Sequence, residues 1–340
     1  MSRILTLLCL QVFVALEGFS QDLQQRMPEV SISFNDSAAT YVLMHPAAAL
    51  QNERDSIWKT FGGYHVTLKW HKESSFPVTW EVWERGLKRF LQKDTSLIRK
   101  SLELARELRF KVQRERETIA RHIQTYAGGT KSFDAHVFFV AFTVPYAFCV
   151  DGNKIGIDIT GDEWHFNVDC VLNTVIHEIY HVGFRAHSPD NKYREADPVD
   201  RTTFLQFHYA YLQSEGMATY VGYRALSLFP STFRHDDYGL LEDQDAVRKA
   251  ISRVNALTAM SSHVAVDSLN KEAWNLGVSE RAYYIAGGYM ARKIEEAFGT
   301  EHLARLVSKG SLQFVQEYNE VVSGDLRITL AGQEPPEPER

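Results

Sequence analysis

Apolar positions recur with two different periods along this chain, and the changes of period divide it into segments. Val30 to Phe34 alternates apolar and polar residues as a half-buried strand does, and Asn35 or Asp36 is placed to cap a helix carrying Ala38 to Leu50. After Pro77, the residues Trp80, Val82, Trp83, Leu87, Phe90 and Leu91 fall at helical spacing, and a charged amphipathic helix is predicted from Thr95 to about Tyr126. Its Arg/Glu run reads as a solvated face; the alternative, a coiled-coil arm, lacks a clean heptad. Ala127-Gly128-Gly129 ends this helix. The period then drops to two: Val137 to Val144 and Lys154 to Thr160 read as strands, separated by a loop with Pro145 and Asp151-Gly152.

Helical periodicity returns at Val171, Leu172, Val175, Ile176, Ile179 and Val182, which predict a buried helix. A polar segment, Ala186 to Thr202, contains Pro189 and Pro198 and reads as a surface loop. A further helix follows from about Thr203 to Leu226.

The first 20 residues predict a secretory signal peptide. They have a basic start at Arg3, an apolar run from Ile4 to Leu16, and small residues, Gly18 and Ser20, ahead of a cleavage point before Gln21. That run is shorter than the ~20 residues a bilayer span needs, and no later segment approaches that length. The expectation is therefore an exported protein, periplasmic or extracellular, without stable membrane insertion once the signal is removed. Cys9 leaves with the signal. Cys149 and Cys170 remain, either as a disulfide joining the buried helix to the strand before it or as two thiols. The formal net charge of −6 offers no basic surface for nucleic acid. The expected organisation is a mostly helical part over 21–130, a catalytic region over 131–331 and a disordered Pro/Glu tail over 332–340.

The candidate chemistry lies on the buried helix at His177-Glu178-Ile179-Tyr180-His181. Positions four apart lie roughly 40° from each other around a helix, so both imidazoles face one ion. Glu178 then sits beside the metal without binding it, placed to take a proton from a zinc-bound water, as this motif does in metallopeptidases. With 13 histidines in 340 residues, the motif is expected by chance well under once. The alternative, a pair of hydrogen-bonded core histidines, would leave a carboxylate buried beside them with no cation to offset it.

Catalytic zinc ordinarily has three protein ligands and an open position, and two residues compete for the third place. His187 lies six residues after His181, where the metzincin pattern puts its third histidine. That pattern turns the chain at a glycine in position 184, and this chain has Phe184, with Gly183 one residue early. The rival is Glu215, in Ser214-Glu215-Gly216-Met217-Ala218-Thr219-Tyr220.

On that stretch and the His-Glu-x-x-His motif, the chain resembles the gluzincins, zinc peptidases in which a downstream helix supplies a glutamate ligand. Small residues such as Gly216 and Ala218 let the two helices approach. Thr219 stands where thermolysin-like members have an aspartate supporting a ligand histidine. Tyr283-Tyr284-Ile285-Ala286-Gly287-Gly288-Tyr289-Met290-Ala291-Arg292 is similar to the C-terminal helix of uncharacterised, bacterially exported, predicted zinc-dependent peptidases. The resemblance covers about residues 150 to 310.

It implies an α+β, zincin-like fold, with a small sheet packed on the zinc-binding helix and a mostly helical remainder. It also implies one zinc per chain, held by His177, His181 and Glu215. The substrate would be a peptide or protein. By the same analogy, the strand at 154–160 is the candidate edge for pairing with an extended peptide, a plain interior strand being the alternative. Zincins place a tyrosine or histidine to stabilise the oxyanion; Tyr284 is the candidate here, with Tyr283, Tyr220, His165 and His263 as competitors. Two other classes stay open: a zinc hydrolase of a non-peptide amide, and an inactive binding protein of the same fold.

Overall fold

The computed structural model describes residues 29–51, 62, 63, 67, 80–93, 96–129, 131–142, 147–160, 167–194, 197–230 and 236–331. The predicted signal peptide, the tail and His165 lie outside the described residues. In chain order the elements begin with β1 (Val30–Asn35), α1 (Ser37–Met44), α2 (Pro46–Gln51), α3 (Trp80–Lys93) and α4 (Ser96–Ala127). The sheet continues with β2 (Phe133–Val140), β3 (Ala147–Val150) and β4 (Lys154–Asp158). The remainder is helical: α5 (Val168–His187), α6 (Asn191–Arg194), α7 (Arg201–Ala225), α8 (Asp236–Leu240), α9 (Gln244–Met260), α10 (Val266–Val278), α11 (Ala282–Phe298), α12 (Thr300–Lys309) and α13 (Ser311–Val321). The protein is thus α+β, mostly helical with one small sheet.

The strands form one mixed sheet in the order β1-β2-β4-β3. β1 and β4 both run parallel to β2, and β3 turns back antiparallel on β4. Asp151 and Gly152 make that hairpin with positive φ at both positions, as an Asp-Gly turn between strands requires. Three expectations are corrected here. The loop expected before Asp151-Gly152 contains a strand, β3. β2 begins and ends four residues before its expected bounds of 137 and 144, because Ala141 and Phe142 leave the ladder, Phe142 at φ +62°. The 154–160 segment is not a sheet edge: β4 lies between β2 and β3, so its backbone is used on both sides.

The helix expected over Ala38 to Leu50 is interrupted at His45. Proline disfavours helical backbone at the residue before it and is well suited to open a helix, so α2 starts at Pro46. α4 is the long amphipathic helix the sequence predicts, with Leu104, Leu108, Val112, Ile119 and Ile123 as its buried stripe. It packs on β1, α1 and α5 rather than projecting as an arm. β1, from the N-terminal part of the chain, pairs with β2, so the sheet draws on both sides of residue 130.

α5 packs against α4, the sheet and α7. The Asn167 side chain caps its N-terminus by accepting from the Asp169 and Cys170 amides. α7 starts with a capping box between Asp200 and Thr203. The segment between them is more ordered than a loop. α5 runs through His187, α6 follows, and Asp190 accepts from the Ser311 amide and hydroxyl at the start of α13. Cys149 and Cys170 are not joined in a disulfide, and Cys149 Sγ accepts from Arg185 Nη1 at 2.9 Å.

α7 packs more extensively against α11 than any other helix pair does. The reason is a backbone contact at two glycines. A Cβ on Gly216 would lie 2.2 Å from the Gly287 carbonyl carbon, and one on Gly287 would lie 2.2 Å from the Leu212 carbonyl oxygen. The small residue beside Glu215 therefore serves contact with α11, not with the motif helix as the resemblance implied.

Two polar clusters close the core around this pair. Glu295 accepts from Tyr126, Tyr220, Arg224 and Thr300, joining α4, α7, α11 and α12. His208 is fully buried between Tyr283 Oη at 2.7 Å and Thr258 Oγ1 at 3.1 Å. Thr258 donates to the Val254 carbonyl, so its oxygen accepts from Nε2–H and Nδ1 accepts from Tyr283.

Gly287→Ala is expected to destabilise the protein by about 3 kcal/mol in urea unfolding, because overpacking against backbone outweighs the ~1 kcal/mol that alanine gains in a helix. Burial holds the His208 imidazole far below its ordinary value, at about 3. The unfolded chain binds this proton below about pH 6.5 and the native protein does not, so stability falls as the pH drops through that window. Between pH 6.5 and 5 this one group should remove about 2 kcal/mol. The same denaturation series on His208→Gln should lose that part of the slope.

Candidate metal centre

His177 and His181 project from one face of α5, one turn apart, toward Glu215 on α7. His181 Nε2 lies 3.2 Å from His177 Nε2 and 3.2 Å from Glu215 Oε2, and His177 Nε2 lies 3.6 Å from the same oxygen. These atoms are the one group of three His, Cys, Asp or Glu donors among the described residues that could hold a metal ion. A zinc ion bonded at 2.0–2.1 Å in a tetrahedral array would separate neighbouring donors by about 3.3–3.4 Å, which the three distances bracket. Burial supports the same assignment: Glu215 is 4% exposed and His181 5%. A carboxylate at that depth beside two imidazoles is a donor set suited to a divalent cation, whose charge would help offset the lost hydration.

His187 is not part of this group. α5 continues without a turn past Gly183 and Phe184, and six residues of helix rotate His187 roughly 120° away from His181. Its ring sits against Gly129 and edge-on to Phe133. Gly183 serves packing instead of a turn: a Cβ there would lie 2.9 Å from Phe133 and 3.1 Å from Ala127.

The support for His181 comes from a residue that the sequence reading did not single out. Ser214 Oγ, fully buried, lies 3.1 Å from His181 Nδ1. Metal binding through Nε2 would leave the proton on Nδ1, and the serine oxygen would then accept a hydrogen bond from Nδ1–H, fixing tautomer and ring orientation. Thr219, in the position of the missing aspartate, donates instead to the Glu215 backbone carbonyl one turn back. Ser214 is adjacent to Glu215 in sequence, but no periodic signal marks it, since only the α5–α7 packing brings it to His181.

Of the tyrosine candidates, Tyr284 alone lies at the cluster. Its ring stacks on His177, with centroids 5.9 Å apart and planes 11° from parallel. Burial raises its phenol above the ordinary tyrosine value, and the Glu215 and Glu178 carboxylates raise it further, so it stays protonated and able to donate at neutral pH. Tyr283 is spent on His208 and Tyr220 on Glu295. His263 is exposed and bonded to Ser262.

A second missed feature is the Arg281 guanidinium, lying 3.3 Å over the Tyr284 ring. Its Nε and Nη2 fork onto the buried carboxylate of Asp237. Arg281 and Asp237 are 44 residues apart and carry no motif, so the chain offers no local signal for either.

Residues 98–325 match a family model described as "Putative zinc dependent peptidase (DUF5700)". The match spans well over half of the chain, and the protein belongs to this family. Comparison with curated proteins and with solved structures returns no match.

Zinc titration in competition with a chromogenic chelator separates these roles. Glu215→Ala should lose metal, and His187→Ala should keep it. Ser214→Ala should bind about tenfold more weakly, the usual cost of removing a partner of a ligating histidine.

Proposed function

We propose that the protein is an exported zinc peptidase of gluzincin type and zincin-like fold, which hydrolyses peptide bonds with Glu178 as general base. The observation that carries this reading is the convergence of His177, His181 and Glu215 at ligand spacing, beside a carboxylate that is adjacent to the cluster without belonging to it. Family membership supports the metal and the reaction class. The apolar start of the chain, ahead of a small-residue cleavage pattern, supports export.

Zinc held by these three residues would act as a Lewis acid, polarising the scissile carbonyl and making a water more acidic. The protein's own groups do the rest. Glu178 takes a proton from the attacking water and later delivers it to the leaving amine nitrogen, so one carboxylate serves as base and then acid. Tyr284, protonated and beside His177, donates a hydrogen bond to the carbonyl oxygen as negative charge develops there. Ser214 keeps the His181 ring in the tautomer that presents Nε2. No covalent enzyme intermediate is needed.

A diverse unstructured peptide pool, incubated with metal-loaded protein lacking residues 1–20 and read by mass spectrometry, tests the reading. Glu178→Gln should retain zinc and lose nearly all cleavage, at least roughly a thousandfold. Equal cleavage by that variant would remove Glu178 from the mechanism. Tyr284→Phe should lower kcat about ten- to a hundredfold while KM changes little, as expected for a hydrogen bond made only in the transition state.

A further inference from the structure

Tyr284 is a long side chain at the start of α11, and the close contact of Gly216 with Gly287 fixes its helix but not its ring. Against the ring lies the guanidinium of Arg281. Arg281, the residue before α11, adopts left-handed backbone at φ 58° and ψ 18°, a conformation that costs a non-glycine residue free energy. It offers the helix no side-chain cap in return. The conformation instead delivers the guanidinium onto the Tyr284 ring, 3.3 Å from its centroid. There Nη2 lies 2.5 Å and Nε 3.2 Å from Asp237 Oδ2, and the Asp237 carboxylate, at the start of α8, is itself buried.

The result is a linear series of contacts: Asp237 holds Arg281, Arg281 covers Tyr284, and Tyr284 lies parallel to His177. A planar guanidinium suits this position. It can stack on an aromatic face while its edge donates in a fork to a carboxylate, which an ammonium cannot do. Its charge also lies within electrostatic reach of Glu215, so the same group that orients the phenol adds positive potential to the cluster.

We propose that Arg281, clamped by Asp237, is the positioning residue of this site: it holds Tyr284 stacked on His177, so that the phenol is already aimed when substrate arrives. The proposal rests on the peptidase reading for its kinetic consequence, but the clamp itself is a property of the folded chain. Arg281 acts through Tyr284 and does not touch substrate.

The test uses the full chain labelled with 3-fluorotyrosine, with Tyr284→Phe identifying the Tyr284 resonance by its absence from the 19F spectrum. In Arg281→Met that resonance should shift and change width while the other tyrosine resonances stay in place, and Arg281→Lys should restore part of the shift. An unmoved Tyr284 resonance in Arg281→Met overturns the clamp. Asp237→Asn, which keeps the arginine and weakens its anchor, gives the same readout if Arg281→Met fails to fold.

Kinetics with a peptide from the pool supply the second arm. Arg281→Met should lower kcat roughly ten- to a hundredfold, the scale of a small misplacement of a catalytic group, with KM nearly unchanged. In a Tyr284→Phe background the same substitution should cost less than about twofold, since coupled residues are not additive. An undiminished loss in that background means that Arg281 contacts substrate directly, and the proposal fails. If the wild-type protein cleaves no peptide, the peptidase reading fails while the 19F result still decides the clamp.

Discussion

The site depends on one contact in which two helices touch through their backbones. Gly216 and Gly287 leave no room for a single added carbon between α7 and α11. Glu215 is the residue before one of these glycines, and Tyr284 lies nearly one turn before the other. The contact therefore sets how near the phenol comes to the carboxylate and to His177. A larger residue at either position would part the helices and separate the groups that α7 and α11 bring to α5. Glycine weakens a helix interior, and it is tolerated here because packing against two neighbouring elements, rather than propensity, sustains these helices.

The same helix pair carries two buried carboxylates in contrasting environments. Glu295, on α11, is met by the hydroxyls of Tyr126, Tyr220 and Thr300 and by the Arg224 guanidinium. Hydrogen bonds and a cation compensate its charge within the protein, and it ties four helices together. Glu215, on α7, lies beside the Nε2 atoms of two histidines, each a donor or an acceptor according to its tautomer. The first set ties four helices together through hydroxyls and a guanidinium, whereas the second has the donor types and spacing that could hold a metal ion. Burial of an acid therefore does not distinguish structure from function; the chemical type of its partners does.

Arg281 extends this argument beyond the metal ligands. A strained backbone and a buried carboxylate held by a half-buried guanidinium are each costly to assemble in isolation. They occur together at the residue that connects the α8 segment to the cluster, and the cost becomes intelligible if the side chain they orient takes part in the chemistry.

Local chemistry made much of this protein legible. The period of apolar residues located α4, α5 and α7 closely, because one buried stripe on a helix is written at 3.6-residue spacing. Breaks at Ala127-Gly128-Gly129 and at Asp151-Gly152 were legible because backbone conformation there is decided by the residue itself. The His-Glu-x-x-His spacing placed two histidines on one face, since helix geometry alone guarantees it. Where outcomes depended on partners distant in sequence, the residues could not decide. The choice between Glu215 and His187 rested on whether α5 turned or continued at Gly183; it continues, with Phe133 and Ala127 packed close to that glycine. β4 became an interior strand because β3 folded back on it. Ser214, Arg281 and Asp237 carry no local pattern, and they gained their roles from helices that meet only in the folded chain. The sequence by itself thus determined the long helices α4, α5 and α7 and the motif. The tertiary structure brought Glu215 to the two histidines, Ser214 to His181 and Tyr284 to His177, because each contact depends on distances between segments that no spacing along the chain encodes.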